Sequence, residues 1–355
     1  MRAKTATKVF SDSLTSERIR LLFLVLILVL IVFVILDLFL GSVSISMHDV
    51  FNALTGRSHD QVSTIILKFR LPKAITALVV GIALSLSGLQ MQTVFRNPMA
   101  GPDVLGISSG ASLGVAFVIL GFSSGMTPGS LTGMGNWMLV VASWLGAGAV
   151  MLLIMLISSR ERDIMTVLIL GIMLSSGISA VVTIMQYFSN ESLLKAYVVW
   201  TMGSLGNLTA SQLKVLLISV SAGVLMSLLL SKMLNALLLG ENYAGSIGLN
   251  VKLARTLIFI CTSILAGSIT AFCGPIGFIG IAVPHLGRIL FRTSDHRILI
   301  PGTILMGGAV MVVSDIISQL PGSEIVLPIN AVTSLIGIPV VIWVIMRNKK
   351  YSGAL

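Results

Sequence analysis

The sequence predicts an all-α, polytopic membrane protein with about ten transmembrane helices, and three observations carry that prediction. Residues 21–36, LLFLVLILVLIVFVIL, form an unbroken apolar run. A run of that length spans the ~30 Å hydrocarbon of a bilayer as a helix, with its backbone polar groups paired internally. Similar runs recur to the C-terminus. Composition agrees: 55% of the 355 residues are hydrophobic and 10% are charged, with a mean hydropathy of +1.03. Soluble domains carry about 25% charged residues, so a water-facing globule is excluded.

Ten spans follow in order: 20–40, 70–95, 105–121, 136–158, 164–188, 211–231, 253–273, 278–292, 299–320 and 328–347. The first follows the basic residues Arg2, Lys4, Lys8, Arg18 and Arg20. Its apolar region exceeds the roughly 7–15 residues of a signal peptide, so it reads as a retained helix. The second opens on Arg70-Leu71-Pro72-Lys73, where proline suits the first helical turn because no backbone donor is needed there. Gly110 and Gly114 give the third a small-residue face suited to close packing. The fifth is nearly free of charge. The seventh carries Cys261 and Cys273, about 18 Å apart along one helix and too far for a disulfide. The eighth is short and contains Pro284, the ninth contains Asp315, and the tenth ends in basic residues. The 34 glycines fit helices that pack closely without a hydrophobic force between them.

Orientation follows from the 23 Lys and Arg residues. With the N-terminus inside, 17 fall in inner segments and six (Arg57, Lys68, Arg70, Lys73, Lys195 and Lys214) in outer ones, which places both termini in the cytoplasm. Residues 1–355 read as a single transmembrane domain, with 1–19 a cytoplasmic N-terminal segment. The longest connections are 41–69 and 189–210 outside and 232–252 inside, the last two partly helical. GPDVLGI (101–107) and GPIGFIGI (274–281) echo one another, as the two halves of a duplicated transporter would.

Motif chemistry is sparse. The net charge of +10 sits between apolar runs, without a basic stripe interleaved with aromatics, so nucleic acid is not the partner. There is no P-loop motif and no Gly-Lys pair, no H-E-x-x-H, and no Cys/His cluster with metal spacing. The 18 methionines are scattered, as packing residues are. No cofactor is expected on this chain. Asp37, His285 and Asp315 are the ionisable residues well inside spans, where such groups are costly and often functional. Asp37 is expected to reach the interface, Asp315 to hydrogen-bond within the bundle, and His285 to be a packing histidine. So few acids weigh against an ion-coupled secondary transporter or channel. Gly106-Ile107-Ser108-Ser109-Gly110 matches G-x-S-x-G, and His285 would be the base of an intramembrane serine protease. The strand that a nucleophile elbow requires is missing from its surroundings.

Two segments call for partners. Residues 234–256, LNALLLGENYAGSIGLNVKLART, carry more apolar content than a solvated loop needs; a short helix docking into a partner's cleft would use it. Arg70 and Lys73 stand at the outer mouth of helix two against the charge bias. They either anchor at lipid headgroups or receive an acidic partner.

The sequence resembles the FecCD-like permease subunits of binding-protein-dependent ABC importers for iron–siderophore, haem and cobalamin. The resemblance rests on Arg70-Leu71-Pro72-Lys73, ALSLSGLQMQTVFRNPMAGPDVLGISSGAS (83–112), GENYAGSIGLNV (240–251), GPIGFIGIAVPHLGRIL (274–290), DHRILIPG (295–302) and LPINAVTSLIGIPVVIW (327–343). It implies ten helices, a homodimer with the path at its interface, two cytoplasmic ATPase subunits that carry ATP and Mg, an external binding protein, and an inner-membrane location. It makes 232–252 the coupling region, with Gly240, Glu241, Ala244, Ser246 and Gly248 on the matched motif, and Arg70 and Lys73 the residues that pair with the binding protein. Asn97, Pro98 and Pro102 fall in a matched turn with a structural role. The dimer-interface elements would be 164–205, lining a broad and weakly interacting path. The expected cargo is a ferric chelate (siderophore or haem) ahead of cobalamin. The sequence departs from the family at Gln319, where a third docking arginine is common, and at Val326-Leu327-Pro328-Ile329-Asn330. Glu324 cannot replace the lost cation.

Overall fold

The structure, a computed structural model, describes residues 2–41, 45–57, 61–121, 134–161, 163–320 and 325–352. Arg162 and Glu324 lie outside the described residues. The described chain is helical and contains no strand. In order it forms α1 (Arg2–Phe39), α2 (Met47–Leu54), α3 (Gln61–Ile65), α4 (Leu71–Val94), α5 (Ile107–Ile119), α6 (Met134–Arg160), α7 (Ile164–Tyr187), α8 (Glu191–Thr201), α9 (Ala210–Leu229), α10 (Ser231–Leu238), α11 (Glu241–Ser246), α12 (Val251–Thr262), α13 (Ser268–Cys273), α14 (Ile279–Phe291), α15 (His296–Ser318) and α16 (Ile329–Ser352). Single π-helical turns over Ile66–Arg70 and Ser263–Gly267 join α3 to α4 and α12 to α13.

Among the described residues, seven helices are long and apolar enough to cross a bilayer: Glu17–Phe39, Gln61–Val94, Trp137–Arg160, Ile164–Tyr187, Ala210–Leu229, Val251–Cys273 and His296–Ser318. Three shorter apolar helices, Ile107–Ile119, Ile279–Phe291 and Ile329–Trp343, occupy the remaining three predicted positions. α1 is helical from Arg2, since nothing between Arg2 and Arg20 breaks a helix, and its apolar span begins at Glu17. The 41–69 connection also contains α2 and α3; Ser46 caps α2 by accepting from the Asp49 amide, supplying one donor's partner at the helix start.

The core helix is α4. From Ala83 to Val94 every residue is buried, and α15, α14, α9 and α12 pack around it. Small residues permit the approach. A Cβ on Gly88 would lie 1.7 Å from the Gly280 carbonyl oxygen, and one on Gly81 would lie 2.1 Å from that of Gly307. Between these two contacts, Ser85 Oγ donates to the Thr303 carbonyl at 3.0 Å. Backbones this close gain dispersion contacts that larger residues would prevent, and in lipid those contacts drive association. By contrast, α1 and α7 turn rows of apolar side chains outward, among them Leu24, Leu28, Ile169 and Met173, as lipid or a second apolar surface requires.

The sequence echo has a structural counterpart. α5 and α14 are both 13 residues long, about 20 Å and too short to cross. Each starts from a residue in the positive-φ region: Gly106 (φ 75°) for α5 and Phe278 (φ 68°) for α14. The turn that leads into α5 touches the first turn of α14, because a Cβ on Gly280 would lie 2.9 Å from Pro102 Cδ.

Candidate functional site

The motif 240–251 folds as a compact turn-helix-turn. Gly240 adopts φ 104°, ψ 154°, a conformation essentially restricted to glycine, and so redirects the chain from α10 into α11. Gly248 (φ 90°) turns it out again, and Leu249 N donates back to the Ala244 carbonyl at 3.0 Å. Two contacts bolt this element to the bundle. Ala244 is fully buried, and Glu241 makes a two-pronged ion pair with Arg255 of α12, whose Nε donates to Glu241 Oε1 at 2.7 Å. Arg255 also donates to the Glu161 carbonyl. Ser246 is exposed and bonds only the Tyr243 carbonyl. The side chains left facing outward are apolar: Leu239 is 66%, Tyr243 51% and Ile247 58% exposed. Beside them, a recess of about 350 Å³ is lined by Arg96, Asp163, Glu241 and Tyr243. Asp163 caps α7, and hydrogen bonds from the Met165 amide and then Thr166 hold its carboxyl below the usual range.

The sequence motif therefore divides into roles that composition did not separate. Glu241 and Ala244 anchor the element, Gly240 and Gly248 shape it, and Leu239, Tyr243 and Ile247 form its exposed apolar face. Their signal was present as apolar residues in a loop, four apart. Because Arg255 is 4% exposed and Glu241 21%, removing the two partners has unequal effects. Glu241→Ala removes the carboxylate paired with a buried guanidinium in the ion pair described above, leaving it the Glu161 carbonyl, and should cost roughly 3–5 kcal/mol. Arg255→Ala leaves a carboxylate that water reaches and should cost about 1.5–3 kcal/mol. Thermal unfolding of the two variants in detergent should preserve that order.

A second network ties the same end together. Asn235 of α10 donates to Asp295 at 2.6 Å and accepts from the His296 amide at 2.8 Å. The His296 ring pairs with Asn235 on one nitrogen and with Thr93 of α4 on the other, both at 2.8 Å. His296 is fully buried. One imidazole thus joins α10, α4 and α15, a junction that the DHRILIPG match marked in sequence without revealing its geometry.

At the opposite end of α4, Lys73 Nζ lies 3.0 Å from Asp315 Oδ1. Arg70 Nη1 donates to the Leu38 and Phe39 carbonyls at 2.8 and 2.9 Å, satisfying carbonyls that a helix C-terminus leaves open. Gln319 Nε2 donates to Asp37 Oδ1 and to Asp315 Oδ2, both at 3.1 Å. Asp315 thus bonds within the bundle, as expected. Asp37 does not reach an interface; it is buried, because Gln319 reaches it from α15. Gly41 leaves room for this cluster: a Cβ there would lie 3.0 Å from both Arg70 Nη2 and Gln319 Oε1.

Between the two ends lies a chamber of about 510 Å³, lined by hydroxyl and amide groups that include Ser108, Ser112, Ser179, Thr183, Gln186 and Asn330. Its carboxylate, Asp103, accepts a hydrogen bond from Ser108. His285 Nε2 donates to the Pro98 carbonyl at 2.8 Å. Ser108 and His285 are therefore engaged with other partners and form no nucleophile–base pair. Asn97 caps its own turn by accepting from the Met99 amide at 2.9 Å, and Pro102 opens a 3₁₀ turn; both roles are structural. Among the described residues, no group of three or more His, Cys, Asp or Glu side chains has metal-site geometry.

Residues 28–347 match the FecCD transport family. The chain belongs to that family. It is 34% identical over 313 residues to the hemin transport system permease protein HmuU of Yersinia pestis, covering 88% of this chain and 91% of that one. It is 37% identical over 285 residues to the vitamin B12 import system permease protein BtuC of Klebsiella pneumoniae, covering 80% and 83%. A solved structure described as an inward-facing conformation of a metal-chelate type ABC transporter superposes with a TM-score of 0.80 at 30% identity, covering 92% of this chain and 98% of that one. The protein is a multi-span permease of the ABC importer class, a class that works with ATPase and binding-protein partners. Neither the secondary-transporter nor the protease reading finds support among these relatives.

Proposed function

We propose that this FecCD-family permease works as a homodimer that moves a ferric chelate, a siderophore complex or haem ahead of cobalamin, through the cytoplasmic membrane. Two ATPase subunits would seat on the α10–α11 surface, and a binding protein would dock at the Lys73 end. Both termini, and the α10–α11 face, are then cytoplasmic. The chain carries no nucleotide site or cofactor of its own; ATP and Mg belong to the ATPases. Residues 1–355 act as one permease domain.

The α10–α11 element carries this reading. It is anchored inward through the Glu241–Arg255 pair and buried Ala244, while it turns Leu239, Tyr243 and Ile247 outward. That combination transmits a partner's motion into the bundle: a rigid foundation beneath an apolar contact face. Supporting the path assignment, the hydroxyl-lined chamber borders α7 and α8, the elements expected at the dimer interface. Its walls carry one carboxylate, Asp103, already engaged by Ser108, and otherwise hydroxyl, amide and apolar groups, which suits a route that must not retain cargo. ATP closure of the ATPases would favour one orientation of the bundle, a shift limited by the difference in their affinity for its two states. For cargo, the support is the hemin permease, which aligns over more of the chain than the vitamin B12 permease does.

The deciding measurement is ATP-dependent uptake into proteoliposomes containing the permease, its ATPase and its binding protein, with labelled ferric siderophore, hemin and cobalamin compared. Accumulation of a ferric chelate is expected, and the permease alone should accumulate none. Gradient-driven accumulation without an ATPase would overturn the proposal.

A further inference from the structure

A cation that receives an acidic partner would ordinarily stand free in water, yet Lys73 and Arg70 are only partly exposed and each is already engaged. The Lys73 ammonium rests on Asp315 at 3.0 Å, with the lysine side chain 22% and the aspartate 1% exposed. Arg70 turns inward to the last carbonyls of α1 and lies within electrostatic reach of Asp37. Gln319 bridges the two carboxyls. Lys73 of α4 thus pairs with Asp315 of α15, and Gln319 links that pair to Asp37 of α1, beside Arg70 of the preceding π-helical turn.

We propose that Asp315 is the resident counter-ion of Lys73, so that an acidic protein partner docks by exchanging a carboxylate for Asp315 on Lys73 instead of capturing a bare cation. The proposal rests on the docking assignment made above. The exposures set the direction of the exchange. Lys73 is reachable from outside and Asp315 is not, so an incoming carboxylate meets the free donors of the ammonium, which has three, before the resident pair parts. Gln319 stays on Asp315, so the displaced carboxyl keeps a donor. Separating the resident pair subtracts from docking affinity, which suits a carrier that must deliver its cargo and leave. Docking would also loosen the end of the α4–α15 seam, whose far end reaches α10 through Thr93, His296 and Asn235.

The test measures binding of the cognate binding protein to the permease–ATPase complex in nanodiscs. Asp315→Asn preserves side-chain shape and removes the competing charge; it should tighten docking by about three- to tenfold. Lys73→Met should weaken docking. If Lys73→Met weakens docking while Asp315→Asn leaves it unchanged or weaker, the exchange is overturned and the docking assignment stands. If Lys73→Met has no effect, both are overturned. A measurement on the unaltered complex avoids any folding defect in the variants: acetylation by a water-soluble amine reagent, read by mass spectrometry. Lys73 should react more slowly than the exposed Lys195 and Lys214 and should react faster in Asp315→Asn. Equal rates for the three lysines in the unaltered complex would overturn the resident pair.

Discussion

Gly240→Val is expected to uncouple ATP hydrolysis from uptake while the subunit still inserts and assembles. The reason is the backbone: at φ 104°, ψ 154° an L-residue carries about 1–3 kcal/mol of strain. The cheapest release is a rotation of α11 relative to α10, which shifts Tyr243 and Ile247 relative to Leu239 and breaks up the apolar face. A strain of that size changes the population of the engaged orientation by roughly five- to 150-fold. Uptake in proteoliposomes should therefore fall about tenfold or more, with ATPase turnover retained. Gly248→Val should act the same way, since its φ of 90° is strained although its Cβ would meet open space. Gly245→Ala is the control: Gly245 lies within α11, and nothing stands within 4 Å of its added Cβ. Full coupled uptake by Gly240→Val would remove the turn from the mechanism.

Gly88→Ala should be the most damaging single-methyl change in the bundle. The new Cβ would stand 1.7 Å from the Gly280 carbonyl oxygen, a backbone atom that no rotamer change can move. α14 must withdraw from α4, breaking the seat of Pro102 against Gly280. The cost should reach or exceed the ~3 kcal/mol top of the usual overpacking range. Because the overlap begins at Cβ, Gly88→Val should add less to that cost than the first methyl did. Gly148→Ala and Gly177→Ala, each with nothing within 4 Å of the added atom, should be neutral or slightly stabilising. Thermal midpoints of the four variants in detergent provide the comparison, and an unchanged midpoint for Gly88→Ala would refute the packing account.

The membrane-spanning pattern was legible because lipid leaves the chain one way to satisfy its backbone: apolar helices long enough to cross. Ten runs therefore correspond to seven long and three shorter apolar helices. Helices α2 and α3 escaped that reading because they are short and mixed in polarity, and α1 extends to Arg2 because charge does not end a helix. The π-helical turns at Ile66–Arg70 and Ser263–Gly267 carry no local sequence signal.

The site was legible as motifs and illegible as contacts. Apolar content in 234–256 marked an exposed apolar face, but Glu241 and Leu239 belong to the same segment and face opposite ways. Only the placement of Arg255, fourteen residues on, decides which is anchor and which is contact. Asp37 and Gln319 lie 282 positions apart, so no window of sequence could join them, and Lys73 reads as a bare cation until α15 brings Asp315 beside it.

What the sequence determined by itself was the solvent, the run of apolar helices and the family, since each depends on composition and local order. What only the tertiary structure decided was which charges are neutralised and by whom. Charges separated by hundreds of residues meet only after close backbone packing, above all at Gly81 and Gly88, has set α4 against α15 and α14.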